Sequence, residues 1–277
     1  MPELPEVETV KRGLAMRMAG HRITGLALNR PDLRKALPVG LRARVEGRRV
    51  ARLGRRAKYI LIHLDDGGVL IAHLGMSGRI VVSESGGREP PDPHDHVVFT
   101  LDDGTVLRFN DARRFGTLDY ASEEELPRHP LLAHLGPEPL ANGFNGPALA
   151  ALLAGKSTPL KAALLDQRVV AGLGNIYVSE SLYWADLSPR RLARTVGGPR
   201  AERLAHAIRD VLERAIAAGG SSLRDYVQAS GELGYFQHHF AVYGKEGEKC
   251  PRCDCTRGIK RIVQSGRSSF YCAKRQR

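Results

Sequence analysis

The sequence predicts a mixed α+β protein of two domains, with strands concentrated in its first half and helices in its second. Its 277 residues exceed the roughly 100–200 residues of a single domain. Short apolar runs separated by turn residues fill the first half, whereas apolar residues recur at helical spacing in the second. A cluster of Gly, Pro and Asn at 136–147 lies between them and is the predicted boundary.

The first half should open with a helix and continue as hairpins. Apolar residues spaced three and four apart, from Val7 to Met18, predict a helix that begins near Pro5. YILIHL (59–64) and VLIAHL (69–74) flank Asp-Asp-Gly-Gly, which predicts a first hairpin. VVFTL (97–101) and TVLRF (105–109) flank Asp-Asp-Gly and predict a second one.

The second half is predicted to be helical. ALAALLA at 148–154 indicates one short helix, and apolar residues at every fourth position over 204–216 indicate a longer one. Gly219 and Gly220 should end the longer helix.

Composition excludes two classes of protein. Apolar residues make up 42% of the chain and charged residues 26%, which is typical of globular proteins and excludes disorder as the default state. No run reaches the roughly 18 uncharged apolar residues of a membrane-spanning helix. The start, MPELPEVETV, has no features of a secretory signal, so we expect a cytoplasmic protein.

Charge favours a nucleic-acid partner. The formal net charge is +12, and segments 42–58 (eight bases, one acid) and 245–277 (ten bases, three acids) each contribute +7. A solvated basic surface is the alternative explanation.

All four cysteines lie in the last 28 residues, at Cys250, Cys253, Cys255 and Cys272. In a cytoplasmic chain this clustering favours a structural zinc that folds a small hairpin. A three-thiolate site completed by another group, or no metal, are the alternatives.

Two segments offer groups for covalent and proton-transfer chemistry. If Met1 is removed, Pro2 becomes a secondary amine, and α-amines with a pKa of about 7.7–8.0 are partly nucleophilic at neutral pH. Glu3 lies beside it, and Lys58 in RRAKYI has apolar neighbours that favour proton transfer. The alternatives are that Pro2 is an ordinary chain terminus, that Glu3 interacts with the helix dipole, and that Lys58 is a surface base.

Three further segments suit DNA. VAGLGNIY (170–177) predicts a helix beginning near Asn175, whose amides could hold a phosphate, or else a plain helix connection. Met76 in HLGMSG and Phe115 in NDARRFG are apolar residues near Arg113, which suits insertion into a base stack. Core packing is the alternative for either apolar residue.

Taken together these motifs resemble one family. MPELPEVET, RRAKY, HLGMSG, HDH, DARRFG, HLGPEPL, VAGLGNIYVSESL, LRDYVQASGELGYFQ and the terminal cysteines occur in the order found in bacterial formamidopyrimidine-DNA glycosylases. Members of that family excise 8-oxoguanine and ring-opened purines. The resemblance spans the whole chain.

The resemblance implies roles for individual residues. Pro2 matches the nucleophile that attacks C1′, Glu3 the carboxylate that assists opening of the sugar ring, Lys58 a general acid, and Arg267 a phosphate-binding arginine linked to elimination. Residues 221–237 match a loop that closes over the extruded base. The matches to DNA-binding positions are His73, His94, Arg113, Lys156 and Asn175, and those to base-stack insertion are Met76, Arg113 and Phe115.

The implied fold is an N-terminal β-sandwich with flanking helices (1–135), then a helix–two-turn–helix domain (136–240), then a zinc hairpin (241–277). The implied partner is damaged double-stranded DNA, bound by a monomer with one structural Zn²⁺ and no organic cofactor or membrane contact. Arg275 occupies the place of the family's last cysteine, so Cys255 is the hypothetical replacement ligand.

Two other functions remain open at this point. An endonuclease VIII-like glycosylase for oxidised pyrimidines would share the proline amine, although the PELPEVET start and the HLGM segment favour the purine enzyme. A catalytically inactive lesion-binding protein would keep the basic segments, although Pro2, Glu3 and Lys58 are all present.

Overall fold

The computed structural model describes residues 1–83, 92–221 and 234–277. Most of the loop 221–237, which is predicted to close over the extruded base, therefore lies outside the described residues. The chain forms two compact units. The first consists of Met1–Ala133 and Ala218–Gln237, and the second of His134–Ala217 and His238–Arg277. The division into domains 1–135, 136–240 and 241–277 stays a prediction.

The first unit contains two four-stranded antiparallel sheets. Its strands are β1 (Ile23–Leu28), β2 (Val50–Arg56), β3 (Tyr59–Leu64), β4 (Gly68–His73), β5 (Arg79–Ser83), β6 (Asp95–Leu101), β7 (Val106–Asn110) and β8 (Thr117–Ser122). One sheet has the order β1-β6-β7-β5 and the other β2-β3-β4-β8. The predicted N-terminal β-sandwich is confirmed.

One apolar core joins the two sheets and the helices of this unit. Helix α1 (Leu4–Met18) packs on β2 and β3, and α2 (Leu41–Val45) packs on β1. The buried side of α1 consists of the apolar positions that predicted it, and the core cluster includes Leu14, Ile62 and Phe99. The helix at the start and both hairpins are therefore confirmed.

Five elements of this unit were not predicted, namely α2, β1, β2, β5 and β8. In β2 the sequence is VARLGRR, and its arginines obscure the alternation that marks a strand. Several basic side chains of segment 42–58 form ion pairs with acidic residues of the same chain. Arg48 binds Asp66 at 2.9 Å, Arg55 binds Glu8 at 3.1 Å, and Arg52 contacts Glu123. Part of the positive charge of this segment is therefore balanced by carboxylates from other parts of the chain.

The second unit combines helices with a terminal hairpin. Its helices are α3 (Gly146–Leu153), α4 (Leu160–Leu165), α5 (Asn175–Trp184) and α6 (Pro199–Ala217), and its strands are β9 (Lys260–Gln264) and β10 (Arg267–Tyr271). Helix α6 packs against α3 and α5, and α5 packs against β10. The predicted helices and the closing hairpin are confirmed. Across the described residues, no helix combines the length and apolar character needed to span a bilayer.

Candidate active site

The N-terminus is fixed by a reciprocal cap on α1. Glu3 is the N-cap, its side chain accepts from the backbone of Glu6, and Glu6 Oε2 accepts from the Glu3 amide at 2.9 Å. Glu6 Oε1 also accepts from the Ser221 amide at 2.8 Å. Both carboxylates are buried, as is Pro2. The cap therefore holds Pro2 at a defined place in the first unit.

Lys58 lies in the two-residue turn between β2 and β3, and only 6% of its surface is exposed. Ala57, just before it, has a φ of +52°, which costs an alanine roughly 1–2 kcal/mol. The carbonyl of Ala57 accepts from Arg55 Nη1 at 2.9 Å, and Arg55 Nε donates to Glu8 at 3.1 Å. The partly buried Arg55–Glu8 pair thus supports the turn that presents Lys58.

His73 is the next polar side chain along this sheet. Burial, followed by the positive charges of Lys58 and Arg34, lowers the pKa of His73 to about 4. The ring is therefore neutral at pH 7, and its Nδ1 accepts from the Gly75 amide at 3.0 Å. His73 positions the start of the HLGMSG segment as a hydrogen-bond acceptor, not as a cation.

Met76, Arg113 and Phe115 lie together at the rim of a cavity of about 590 Å³. The Arg113 guanidinium stacks over the Phe115 ring at 5.0 Å, and its Nη2 lies 3.4 Å from Met76 Sδ. Met76 is 37% exposed and Phe115 40%, so neither is a core residue. Met1 and His73 line the same cavity. The first unit therefore brings the N-terminus and the predicted insertion residues to one opening.

Asp111 is a buried residue of this region that the sequence analysis did not single out, and it connects the segments that carry Met76 and Phe115. It is fully buried, and its carboxylate accepts from Ser77 Oγ at 2.6 Å and from the Gly116 amide at 2.7 Å. The backbone of Gly75, at φ +63°, lies so close to the backbone of Phe115 that a Cβ at position 75 would be 2.3 Å from the Phe115 carbonyl carbon. The sequence feature that could have indicated this contact is the aspartate of NDARRFG, since aspartate side chains commonly accept hydrogen bonds from nearby backbone amides.

His94, Lys156 and Asn175 lie in three separate places. His94 is exposed before β6, and its carbonyl accepts from the Asp111 amide at 3.0 Å. Lys156 is half-buried after α3 in the second unit. Asn175 begins α5, as predicted, but its Nδ2 donates to the Ser268 carbonyl at 3.1 Å. Part of its hydrogen-bonding capacity therefore serves the hairpin.

The GLG segment before α5 is held by a glutamine that the sequence did not single out. Gln167 Oε1 accepts from the Gly172 amide at 2.9 Å, and its Nε2 donates to the Leu173 carbonyl at 2.8 Å. This fixes the entry to α5, whose first amides can bind an anion.

Arg267 follows the turn of the terminal hairpin. Ser265 and Gly266 form that turn with φ of +48° and +72°, as in a type I′ turn. Arg267 is exposed, and its side chain has no hydrogen-bond or ion-pair partner within the part of the chain that the structure describes.

The four cysteines form one cluster with Sγ atoms within 4.8 Å of one another. Cys272 Sγ lies 3.6 Å from both Cys253 Sγ and Cys255 Sγ. Tetrahedral zinc with Zn–S near 2.3 Å requires sulfur pairs about 3.8 Å apart, so four thiolates at these distances fit a closed structural site. The cluster thus includes Cys255, the hypothetical replacement ligand.

Arg275 points into an ion pair instead of the cluster. Its guanidinium binds Asp186 through Nε at 2.9 Å and Nη2 at 3.0 Å, and its Nη1 donates to the Arg252 carbonyl at 3.1 Å. A bidentate pair of this kind is among the stronger surface contacts. Arg275 therefore anchors the end of the hairpin to the residues after α5.

A buried carboxylate connects α5 to the segment that leads into the terminal hairpin. Glu180 accepts from the amides of Ala241, Val242 and Tyr243 at 2.8, 2.9 and 2.8 Å. Burial raises the pKa of Glu180, while the three amides oppose that shift. No local pattern indicated this contact, because 61 or more residues separate the partners.

The chain belongs to the formamidopyrimidine-DNA glycosylase family. Residues 1–118 match the model of the formamidopyrimidine-DNA glycosylase N-terminal domain, and residues 135–227 match that of its H2TH domain. The expected helix–two-turn–helix domain is therefore confirmed.

Relatives and solved structures agree over nearly the full length. A formamidopyrimidine-DNA glycosylase of Rhodospirillum centenum is 62% identical, with all of both chains covered. The MutM (Fpg) protein of Thermus thermophilus has a TM-score of 0.87 at 41% identity, covering 99% of this chain and 98% of that one. Lactococcus lactis Fpg, solved in complex with DNA containing N7-benzyl-Fapy-dG, has a TM-score of 0.90 at 34% identity, with both chains fully covered.

Proposed function

We propose that this protein is a bifunctional DNA repair enzyme that excises oxidised purines from duplex DNA and then cuts the abasic strand. The substrates are 8-oxoguanine and formamidopyrimidines. The observation that supports this most is the cavity of the first unit, where Met1 and His73 lie beside the exposed Met76–Arg113–Phe115 group. The relatives from Rhodospirillum centenum and Cereibacter sphaeroides are named formamidopyrimidine-DNA glycosylases, which supports formamidopyrimidines as one class of substrate.

Pro2 is the proposed nucleophile. Once Met1 is removed, the lone pair of its nitrogen attacks C1′, and the bond from C1′ to the base breaks as the base takes a proton. The nitrogen then gives up its own N–H proton, which restores its lone pair. The C1′–O4′ bond then opens, O4′ gains a proton with help from Glu3, and a cationic iminium joins Pro2 to C1′. That cation acidifies the C2′ hydrogen. Loss of this proton breaks the C3′–O bond and expels the 3′ phosphate. Loss of the C4′ proton then breaks the C5′–O bond and expels the 5′ phosphate.

Lys58 serves as a general acid in this scheme, and its buried turn suits a group that must hold a proton at one place. Arg267, exposed on the second unit, binds a phosphate and assists elimination. Each unit supplies its own DNA contacts. The first offers His73, His94 and Arg113, and the second offers Lys156 and Asn175.

Access to C1′ requires that the damaged nucleotide leave the stack, which costs a few kcal/mol. Met76, Arg113 and Phe115 are proposed to fill the gap, because exposed apolar side chains next to a guanidinium can restore part of the lost stacking. The loop 221–237 is proposed to close over the extruded base.

One structural Zn²⁺ per chain, held by Cys250, Cys253, Cys255 and Cys272, is proposed to fold the terminal hairpin. The reaction requires no organic cofactor. The enzyme is proposed to act as a monomer on damaged DNA in the cytoplasm, at the nucleoid.

Borohydride trapping with peptide mapping tests the nucleophile and the substrate class together. The untagged protein, with Met1 removal verified by mass spectrometry, is reacted with a duplex holding one 8-oxoguanine opposite cytosine. We expect a covalent adduct at Pro2 that undamaged duplex does not give. The matched control inserts one alanine between Met1 and Pro2, which turns the Pro2 nitrogen into an amide and should abolish that adduct.

Other outcomes would change the assignment. An adduct at Lys58 would keep the lyase but replace the nucleophile. Faster trapping on an oxidised pyrimidine would favour the endonuclease VIII-like function. Tight, lesion-selective binding without any adduct, by protein that has lost Met1, would identify an inactive lesion-binding protein.

A further inference from the structure

Lys161 is a buried lysine to which the proposed chemistry gives no role. It lies on α4 and exposes only 1% of its surface. Lysines are almost never fully buried unless they are paired, because removing an amino group from water costs free energy. Its position therefore requires a compensating set of contacts.

Those contacts lie on the two residues that follow Arg267. Lys161 Nζ donates to the Ser268 carbonyl at 2.7 Å and to Ser269 Oγ at 2.7 Å. The Ser268 carbonyl also accepts from Asn175 Nδ2 at 3.1 Å, so two helices converge on one oxygen. Ser269 Oγ in turn donates to Gln264 Oε1 at 2.7 Å, on the strand that pairs with β10.

The hairpin needs an anchor at this end. A two-stranded hairpin is at best marginally stable alone. The cysteine cluster holds the other end through Cys272, which is five residues from Arg267 and hence roughly 16 Å along an extended strand. Alternation places Ser269 on the same face of β10 as Arg267. A contact at Ser269 therefore fixes the direction in which Arg267 leaves the strand.

We propose that Lys161 is a positioning residue for Arg267: it ties the Arg267 end of the hairpin to α4 and so holds the guanidinium ready for a phosphate. This rests on the proposed phosphate contact of Arg267. Lys161 itself is buried and touches no DNA. Its effect should therefore be seen only while Arg267 is present.

A double-mutant cycle tests this in the full-length, zinc-loaded protein. The probe is a duplex with one tetrahydrofuran abasic analogue, and Kd is measured over a range of KCl concentrations. Arg267→Ala should weaken binding about tenfold and reduce the salt slope by about one. Lys161→Met, which keeps the aliphatic stem, should weaken binding roughly three- to tenfold with the same change of slope.

The double variant decides between positioning and general stability. We expect Arg267→Ala/Lys161→Met to bind within about twofold of Arg267→Ala alone, since contacting partners are not additive. Arg203→Met, an exposed control on α6 that removes the same charge, should stay within about twofold of wild type.

Three results separate the possible failures. Multiplied losses in the double variant, or wild-type binding by Lys161→Met, would overturn the role of Lys161. Wild-type binding by Arg267→Ala would instead overturn the proposed role of Arg267. If Lys161→Met does not fold, Ser269→Ala replaces it in the cycle. We then expect a smaller loss of DNA affinity in the single variant, and again no additional loss when Ser269→Ala is combined with Arg267→Ala.

Discussion

The two cations proposed for the reaction sit at the ends of two very different hairpins. Lys58 occupies a buried turn in the first unit, within a sheet that shares a core with a second sheet. Arg267 is exposed, beside the turn of an isolated two-stranded hairpin in the second unit. The first hairpin is supported by its own sandwich, whereas the second packs on α5 and is bonded by Lys161 of α4 and Asn175 of α5.

The difference matches the two tasks. A group that transfers a proton gains from burial, which fixes its place. A group that binds phosphate must reach the DNA backbone, and it tolerates water. Both turns hold one residue other than glycine at positive φ, Ala57 at +52° and Ser265 at +48°.

The largest effect is expected when Lys58 is replaced. Lys58→Met should lower the single-turnover rate of base excision by about 10²–10⁴-fold, because general acid–base catalysis contributes that much. Binding of an abasic-analogue duplex should change little. Lys58→Arg keeps the charge but cannot give up a proton, so it should remain as slow. Normal excision by either variant would remove Lys58 from the proposed chemistry.

Next in size is the loss of the Cys255 thiol. Cys255→Ser should reduce zinc affinity by at least about a hundredfold. Mutating a residue that only hydrogen-bonds to a metal ligand already lowers metal affinity about 10–100-fold, and losing a ligand should cost more. Metal analysis of protein purified without chelator should then give well under one zinc per chain. Restoring a cysteine in Cys255→Ser/Arg275→Cys should recover the metal. One zinc per chain in Cys255→Ser, bound as tightly as in wild type, would contradict Cys255 as a ligand.

A pH-dependent effect of intermediate size concerns His73. Its pKa is about 4 in the folded protein and 6.5 in its ordinary state, so the unfolded chain binds more protons between these values. The stability that neutral His73 contributes to the folded protein is complete above pH 6.5 and is lost as the pH falls towards 4. Between pH 7 and pH 5 the free energy of unfolding should drop by about 2 kcal/mol through this residue.

His73→Asn isolates that contribution, because the Asn Oδ1 can still accept from the Gly75 amide. Urea unfolding at pH 7 and pH 5 should show a smaller pH dependence in the variant. An equal drop in both proteins would show that His73 does not cause it.

The smallest effect tests strain at the Lys58 turn. Ala57→Gly should change the free energy of unfolding by no more than about +1 kcal/mol, since relief at positive φ outweighs the entropy of glycine only slightly. Ala57→Val should destabilise, because a β-branched side chain is poorly tolerated at positive φ. Thermal unfolding of the two variants measures the contrast, and a stability gain in Ala57→Val would show that the turn is not strained.

Much of this fold could be predicted from local pattern. The spacing of Val7, Val10 and Leu14 predicted α1, and the apolar runs at 59–64 and 69–74 predicted β3 and β4. Strand β2 was missed because arginines fill its exposed and partly exposed positions. The pairing of Arg55 with Glu8 could not be found either, since the partners lie 47 residues apart.

The sequence by itself determined the α+β class, the position of most helices and hairpins, and the residue types that the proposed chemistry needs. These follow from short-range periodicity, turn residues and motifs, which are local properties of the chain. Tertiary structure alone decided that His73 is neutral, that Arg275 binds Asp186 and that Lys161 supports the Arg267 hairpin. Each of these depends on burial or on a partner distant in sequence, and neither is encoded in local spacing.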